Sequence, residues 1–136
     1  MNTRPPLVSV VIPTQNRDLY LLEAIKSINN QTYDNIEIIV VDDDSTEPVC
    51  LSNLQSNLLV TLIRNEYPVG GAGSRNIGFT SSKGDFICFL DDDDLYDSGK
   101  IEILLSVIKS NKADVAFGTI IKFKEAIGST PCKSTK

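Results

Sequence analysis

Five runs of apolar, largely β-branched residues recur along the chain, at Val8–Ile12, Ile36–Val41, Leu59–Ile63, Phe86–Leu90 and Val115–Ile121. They are near-continuously apolar instead of alternating, the pattern of strands covered on both faces in a parallel sheet. Between them the period changes. Leu21, Leu22, Ile25 and Ile28 fit one helix face behind Asp18 as N-cap. Ile101, Leu104, Leu105 and Ile108 follow i, i+3, i+4, i+7 spacing behind Ser98 as N-cap. Val49–Leu54 and Ser74–Thr80 are weaker helical stretches. Strand and helix alternate, which predicts a doubly wound, mostly parallel α/β sheet flanked by helices. The 136 residues suit a single domain with its core at about 7–123, and there is no internal repeat. Residues 124–136 are polar and aperiodic, and read as a loose tail or as the point where a larger fold is cut.

The unusual residues fall directly after the predicted strands. Pro13-Thr14-Gln15-Asn16 follows the first, Asp42-Asp43-Asp44-Ser45 the second, Asn65–Gly73 the third and Asp91–Asp94 the fourth. In a parallel sheet these positions line the carboxyl edge, where α/β proteins bind their ligands.

Composition narrows the chemistry. There is no histidine, which removes imidazole acid–base catalysis, Ser-His-Asp systems and His-rich metal sites together. Cys50, Cys88 and Cys132 have no paired spacing, so neither a disulfide framework nor a thiolate zinc site is expected. The net charge of −5 is concentrated: Asp42–Asp44 with Glu47, and Asp91–Asp94 with Asp97, hold nine of the eighteen acids. Elsewhere bases outnumber acids, yet no basic stripe with interleaved aromatics marks a nucleic-acid partner. No run approaches the ~20 apolar residues of a membrane span, and MNTRPP is not a secretory leader. A cytoplasmic setting is expected.

Four consecutive aspartates repel one another unless something neutralises them. Placed at a sheet's ligand edge, such a run suits Mg²⁺ or Mn²⁺, which take one or two carboxylates and complete their shell with water and phosphate oxygens. The Asp42–Asp44 cluster could add ligands to the same ion, accept hydrogen bonds from a base or ribose, or cap a turn ahead of Ser45 or Thr46. The glycine-rich VGGAGSRNIG loop fits neither the P-loop nor the dinucleotide fingerprint, but lets backbone approach a phosphate.

With these residues in view, the chain resembles the family 2, inverting GT-A glycosyltransferases from about Val8 to Phe117. VSVVIPTQNR is similar to that family's VSVIIPTYN opening. INNQTYDNIEIIVVDDDSTE is similar to its VDDGSTD motif, and GAGSRNIGFTSSKGDFICFLDDDDLYDSGKI to the stretch ending in its LDxDD, DxD-type metal motif. The resemblance implies a GT-A fold, a nucleotide-diphosphate sugar as donor (a UDP-sugar first) and Mn²⁺ or Mg²⁺ as cofactor. It implies that Pro13, Gln15, Asn16 and Asp43 bind the nucleoside, with Asp43 accepting from the base. Arg75 then lies near the diphosphate, Asp91 and Asp92 help hold the donor, Asp93 is the main metal contact, and Asp94 supports them or closes a turn. Gln15 stands where the family often has Tyr. Asp44 replaces the usual Gly of VDDGS, which strains that turn or adds charge to it.

The family's acceptor site and general base lie further along than the matched motifs, and no general base is identified here. The chain alone is therefore expected to bind donor but transfer nothing. The acceptor (glycan, lipid-linked or protein) stays open, as does peripheral association of a longer protein with a membrane. Two rivals fit less well. A phosphoacceptor receiver domain would carry its acidic pair after the first strand, where PTQN stands, and DDDDLYDSG lacks the glycine of an EF-hand loop. A nucleotide-sugar-binding unit without turnover is the remaining alternative.

Overall fold

The computed structural model describes residues 4–122. Two strands, β1 (Val8–Thr14) and β2 (Ile36–Asp42), bury every residue except Pro13, and the polar breaks in their apolar runs, Ser9 and Glu37, bond to each other. β3 (Leu59–Arg64) and β4 (Phe86–Phe89) flank them in a parallel sheet of order β3-β2-β1-β4. Both outer strands are only partly covered, with Leu59 and Phe89 exposed, so the expectation of two-sided burial holds for the central pair alone. Pro13 is tolerated in a central strand for a topological reason. Val11 is the last β1 residue opposite β4, and β1 backbone groups alternate between its two neighbours, so the missing N–H of Pro13 faces the side where β4 has ended.

Helices cover both faces. α1 (Asp18–Asn29) buries Leu21, Ala24, Ile25 and Ile28, and α3 (Lys100–Asn111) buries Ile101 and Leu105, against Val8, Val10, Ile12, Ile36, Ile38 and Val40. On the other face, α2 (Gly70–Ser81) brings Ile77 onto Val11, Ile39 and Val41. Here Gly78 has a packing reason: a Cβ would overlap Val11 Cγ1. The doubly wound architecture is thus as expected.

Several boundaries differ from the sequence pattern. Neither Asp18 nor Ser98 is an N-cap. Arg17 and Gly99 occupy those positions without a side-chain cap bond, and Asp18 is already inside α1. α2 begins at Gly70, four residues before the predicted stretch, because its capping acceptor comes from another strand. Around Val49–Leu54 there is only a short 3₁₀ turn, Leu51–Asn53. The fifth run, Val115–Ile121, forms no strand; its apolar side chains are exposed, Phe117 to 90%. β-Branched composition alone makes no strand where no ladder partner is engaged. Residues 124–136, including Glu125 and Cys132, lie outside the described residues.

Candidate donor-binding site

The ladder continues past the strand ends and arranges the rim. Asp43 N donates to Thr14 O at 2.8 Å, Asn65 N to Asp42 O at 2.9 Å and Leu90 N to Val11 O at 3.0 Å. The turns after β1, β2, β3 and β4 are thereby brought side by side at the carboxyl edge. The chain runs outward from β1 to β3 and then returns to add β4 on β1's other side. The reversal point between β1 and β4 is where such sheets place ligands.

The first acidic cluster proves to be largely internal wiring. Asp42 is buried; its Oδ1 accepts from Ser45 N at 2.9 Å, and its Oδ2 from Val49 N at 3.1 Å and from Arg64 at 2.7 Å. Arg64 also holds Asp44 at 3.0 Å and Ser45 O at 3.0 Å. The turn accordingly needs no helix after Ser45. Asp44 has φ 59°, the left-handed conformation that a glycine adopts without strain. Asn16, with φ 55°, is committed as well: its N–H donates to Ser45 Oγ at 2.9 Å and its side-chain oxygen accepts from Thr46 N at 2.7 Å. Gln15 is exposed, and its amide donates to Asp43 O at 2.7 Å.

Asp43 does something composition could not reveal. Its Oδ1 accepts from Asn65 Nδ2 and Val69 N, and its Oδ2 from Gly70 N, each at 2.8 Å. The carboxylate therefore caps α2 from across the rim and fixes Gly70 at φ 78°. Burial pushes its pKa up, but the bonds from Val69, Asn65 and Gly70 outweigh that and leave it below the ordinary value. Asp42 is likewise lowered, with burial opposed by Ser45, Val49 and Arg64. Three donors thus occupy the buried Asp43 carboxylate, and Ser74 beside Asn65 adds to the polar surround that holds it ionised.

The second cluster is neutralised by arginines. Asp92 is buried, its Oδ2 accepting from Thr14 Oγ1 at 2.8 Å and its Oδ1 from Arg17 at 3.2 Å. The same Arg17 nitrogen reaches Asp93 Oδ2 at 3.0 Å, where both side chains are half exposed. Arg75, on α2, is paired with Asp91. Asp94 closes a turn through its N–H to Asp91 O, and its carboxyl is raised by burial first, then by Asp93 and Asp91.

Of the three roles open to the first acidic cluster, the structure favours the turn over a shared ion. Asp42 and Asp44 are held by Arg64, and among the described residues no three His, Cys, Asp or Glu side chains form a group that could hold a metal. The chemistry of the remaining donors still fits Mg²⁺ or Mn²⁺. Asp93 is half exposed, its Oδ1 has no hydrogen-bond partner among the described residues, and these ions need only one or two carboxylates besides water and phosphate. Arg17 and Arg64 were missed in the sequence, and Thr14 and Asn65 were placed at the rim without a role. The signal for Arg64 lies in register, since it sits opposite Asp42 only once β2 and β3 are aligned.

The family model for glycosyl transferase family 2 matches residues 9–134. The chain belongs to that family. Among its relatives, the Escherichia coli UDP-Glc:alpha-D-GlcNAc-diphosphoundecaprenol beta-1,3-glucosyltransferase WfgD is 36% identical over 113 residues, covering 82% of this chain and 45% of its own length. Staphylococcus aureus TarS 1-349 in complex with UDP-GlcNAc superposes with TM-score 0.73 and 26% identity over 79% of this chain and 32% of that one. The Pyrobaculum calidifontis mannosyltransferase PcManGT, in complex with GDP-Man and Mn²⁺, gives TM-score 0.61 and 27% identity over 69% of this chain and 29% of its own. The fold of this family 2 chain is therefore GT-A. It spans less than half the length of the curated relatives it matches.

Proposed function

We propose that this chain is the donor-binding part of an inverting glycosyltransferase, holding a nucleotide-diphosphate sugar, a UDP-sugar first, at the rim between β1 and β4. The observation that carries the reading is the meeting of Thr14, Arg17, Asp92 and Asp93 at the sheet's reversal point. The relatives whose names include UDP-Glc and UDP-GlcNAc support the nucleotide, and the lipid diphosphate in one of those names makes a lipid-linked acceptor the first to test. Among the described residues no helix is long and apolar enough to cross a membrane.

Pro13, Gln15 and Asp43 face the nucleoside, and Asp91, Asp92 and Arg75 position the diphosphate. Asp93, with Asp91 beside it, would hold Mg²⁺ or Mn²⁺, which when bound neutralises the diphosphate as it leaves. The acceptor hydroxyl oxygen attacks the anomeric carbon as the bond to the diphosphate oxygen breaks, its electron pair going to the diphosphate. The hydroxyl proton passes to a base. Asp42, Asp43, Asp91, Asp92 and Asp93 are each engaged by an arginine or by several N–H donors and make poor bases, so that group comes from elsewhere in the enzyme.

Calorimetric titration of the chain with UDP, in Mn²⁺ and in EDTA, tests this. Binding that requires Mn²⁺ is expected, and Asp93→Ala should remove it while leaving the fold intact. Equal UDP binding in EDTA, or wild-type binding by Asp93→Ala, would overturn the metal assignment. No UDP or GDP binding in any divalent cation would overturn the function.

A further inference from the structure

Arg17 belongs to none of the strands and is not held by its own helix. It is the N-cap residue of α1 with φ −137° and ψ 45°, contributes no side-chain cap bond, and is half exposed. Its guanidinium crosses the reversal point from the β1 side to the β4 side, where its side-chain partners are Asp92 and Asp93. We propose that Arg17 is an internal counter-cation for this pair, which exchanges Asp93 for the diphosphate when a divalent ion takes its place. The nucleotide and the ion would then bind as a coupled pair. This inference rests on the proposed function.

The two aspartates are built unequally, and that inequality makes exchange feasible. Asp92 is buried with both oxygens bonded, one to Thr14 and one to Arg17. It keeps the Thr14 bond, and stays fixed, if Arg17 moves. Asp93 is half exposed and touches Arg17 through one oxygen. An exposed pair of this kind is weakly held, so giving it up costs little. The monovalent guanidinium answers two carboxylates in a run of four, and a divalent ion answers them better. Once displaced, the guanidinium offers a planar fork of N–H donors that matches phosphate oxygens two at a time. It would be released beside the place where the diphosphate arrives.

Exchange has a signature that simple charge neutralisation lacks. Without nucleotide, Arg17 competes with the ion, so the ion alone should bind weakly; with nucleotide, Arg17 has a new partner and competition ends. The test is a Mn²⁺ titration followed by electron paramagnetic resonance of the free ion, with and without UDP. It is run on wild type, Arg17→Gln and Arg17→Lys, each first checked for folding by circular dichroism. In wild type UDP should tighten Mn²⁺ binding at least about tenfold, within the ordinary range for coupled sites. In Arg17→Gln, Mn²⁺ alone should bind about five- to tenfold tighter than in wild type, and the enhancement by UDP should shrink by a similar factor. Arg17→Lys keeps the charge without the fork, so Mn²⁺ alone should bind as in wild type while UDP binds more weakly. If wild type binds Mn²⁺ and UDP but Arg17→Gln binds Mn²⁺ alone no tighter, the exchange is wrong and the proposed function stands. If Arg17→Gln does not fold, wild-type UDP affinity in Arg17→Lys overturns the exchange by itself. If wild type binds neither ligand, both readings fall.

Discussion

The Asp43 carboxylate meets the Gly70 N–H at 2.8 Å, joining the end of β2 to the start of α2 across 27 residues of chain. A helix N-terminus has unpaired N–H groups and favours negative charge. α2 has no cap within its own segment, so a distant carboxylate supplies it. Asp43→Ala would strand the Val69 and Gly70 amides and leave Asn65 Nδ2 only its longer bond to Ser74 Oγ. It should cost about 1–3 kcal/mol in urea unfolding, with amide exchange rising first at Val69 and Gly70. Unchanged exchange there would show that the cap is dispensable.

Acid should loosen the same region. Asp42 and Asp43 are both held below the ordinary carboxylate value in the folded chain, so each stabilises it above the unfolded pKa. That stability is present at neutral pH, begins to fall near pH ~4, and is lost as pH drops through the folded values. The melting temperature of wild type should therefore fall more steeply below pH ~4 than that of Asp43→Asn.

Gly78→Ala should destabilise despite alanine's better helix propensity, worth about 1 kcal/mol. The added methyl meets Val11 Cγ1 in the tight α2–β1 contact, and overpacking costs about 1–3 kcal/mol. The double variant Gly78→Ala/Val11→Ala should recover part of the loss, measured by urea midpoints. No recovery would place the strain elsewhere.

Asp44→Gly sets two small effects against each other. Glycine relieves the left-handed φ of 59°, a strain of roughly 1 kcal/mol. It also removes a half-exposed ion pair with Arg64 worth ~0–1 kcal/mol. Thermal unfolding should show no change or a rise of a few degrees. A clear drop would mean that the Arg64 bridge is the larger contribution.

The sheet was legible because its two central strands are buried on both faces and so carry nearly continuous apolar runs. α1 and α3 were legible because each buries one regular face. Their caps were not, since Asp18 and Ser98 have suitable side chains but stand one residue away from the positions that the backbone uses. Val115–Ile121 has strand composition without a ladder, and composition does not report partners. At the rim, the run Asp91–Asp94 stood out by type and place, and Asp93 within it by the family resemblance alone. Arg17 was not, because its role comes from contacts 75 and 76 residues away in the chain. Asp43 was singled out for a ligand; that it also caps α2 follows only from the tertiary arrangement.

The strand order has a kinetic consequence. β1 meets β2 through contacts such as Gln15 with Asp43, 28 residues apart, whereas the bond from Thr14 to Asp92 spans 78. Closing longer loops is slower, so β4 should join last, after β1, β2 and β3 have paired. Until then one edge of β1 stands open as a template for mispairing. Arg17 then has no carboxylate to answer. Among the four strands the acidic run is thus the last to arrive during synthesis, and a refolding chain should gain its proposed nucleotide-binding surface only in its slowest phase.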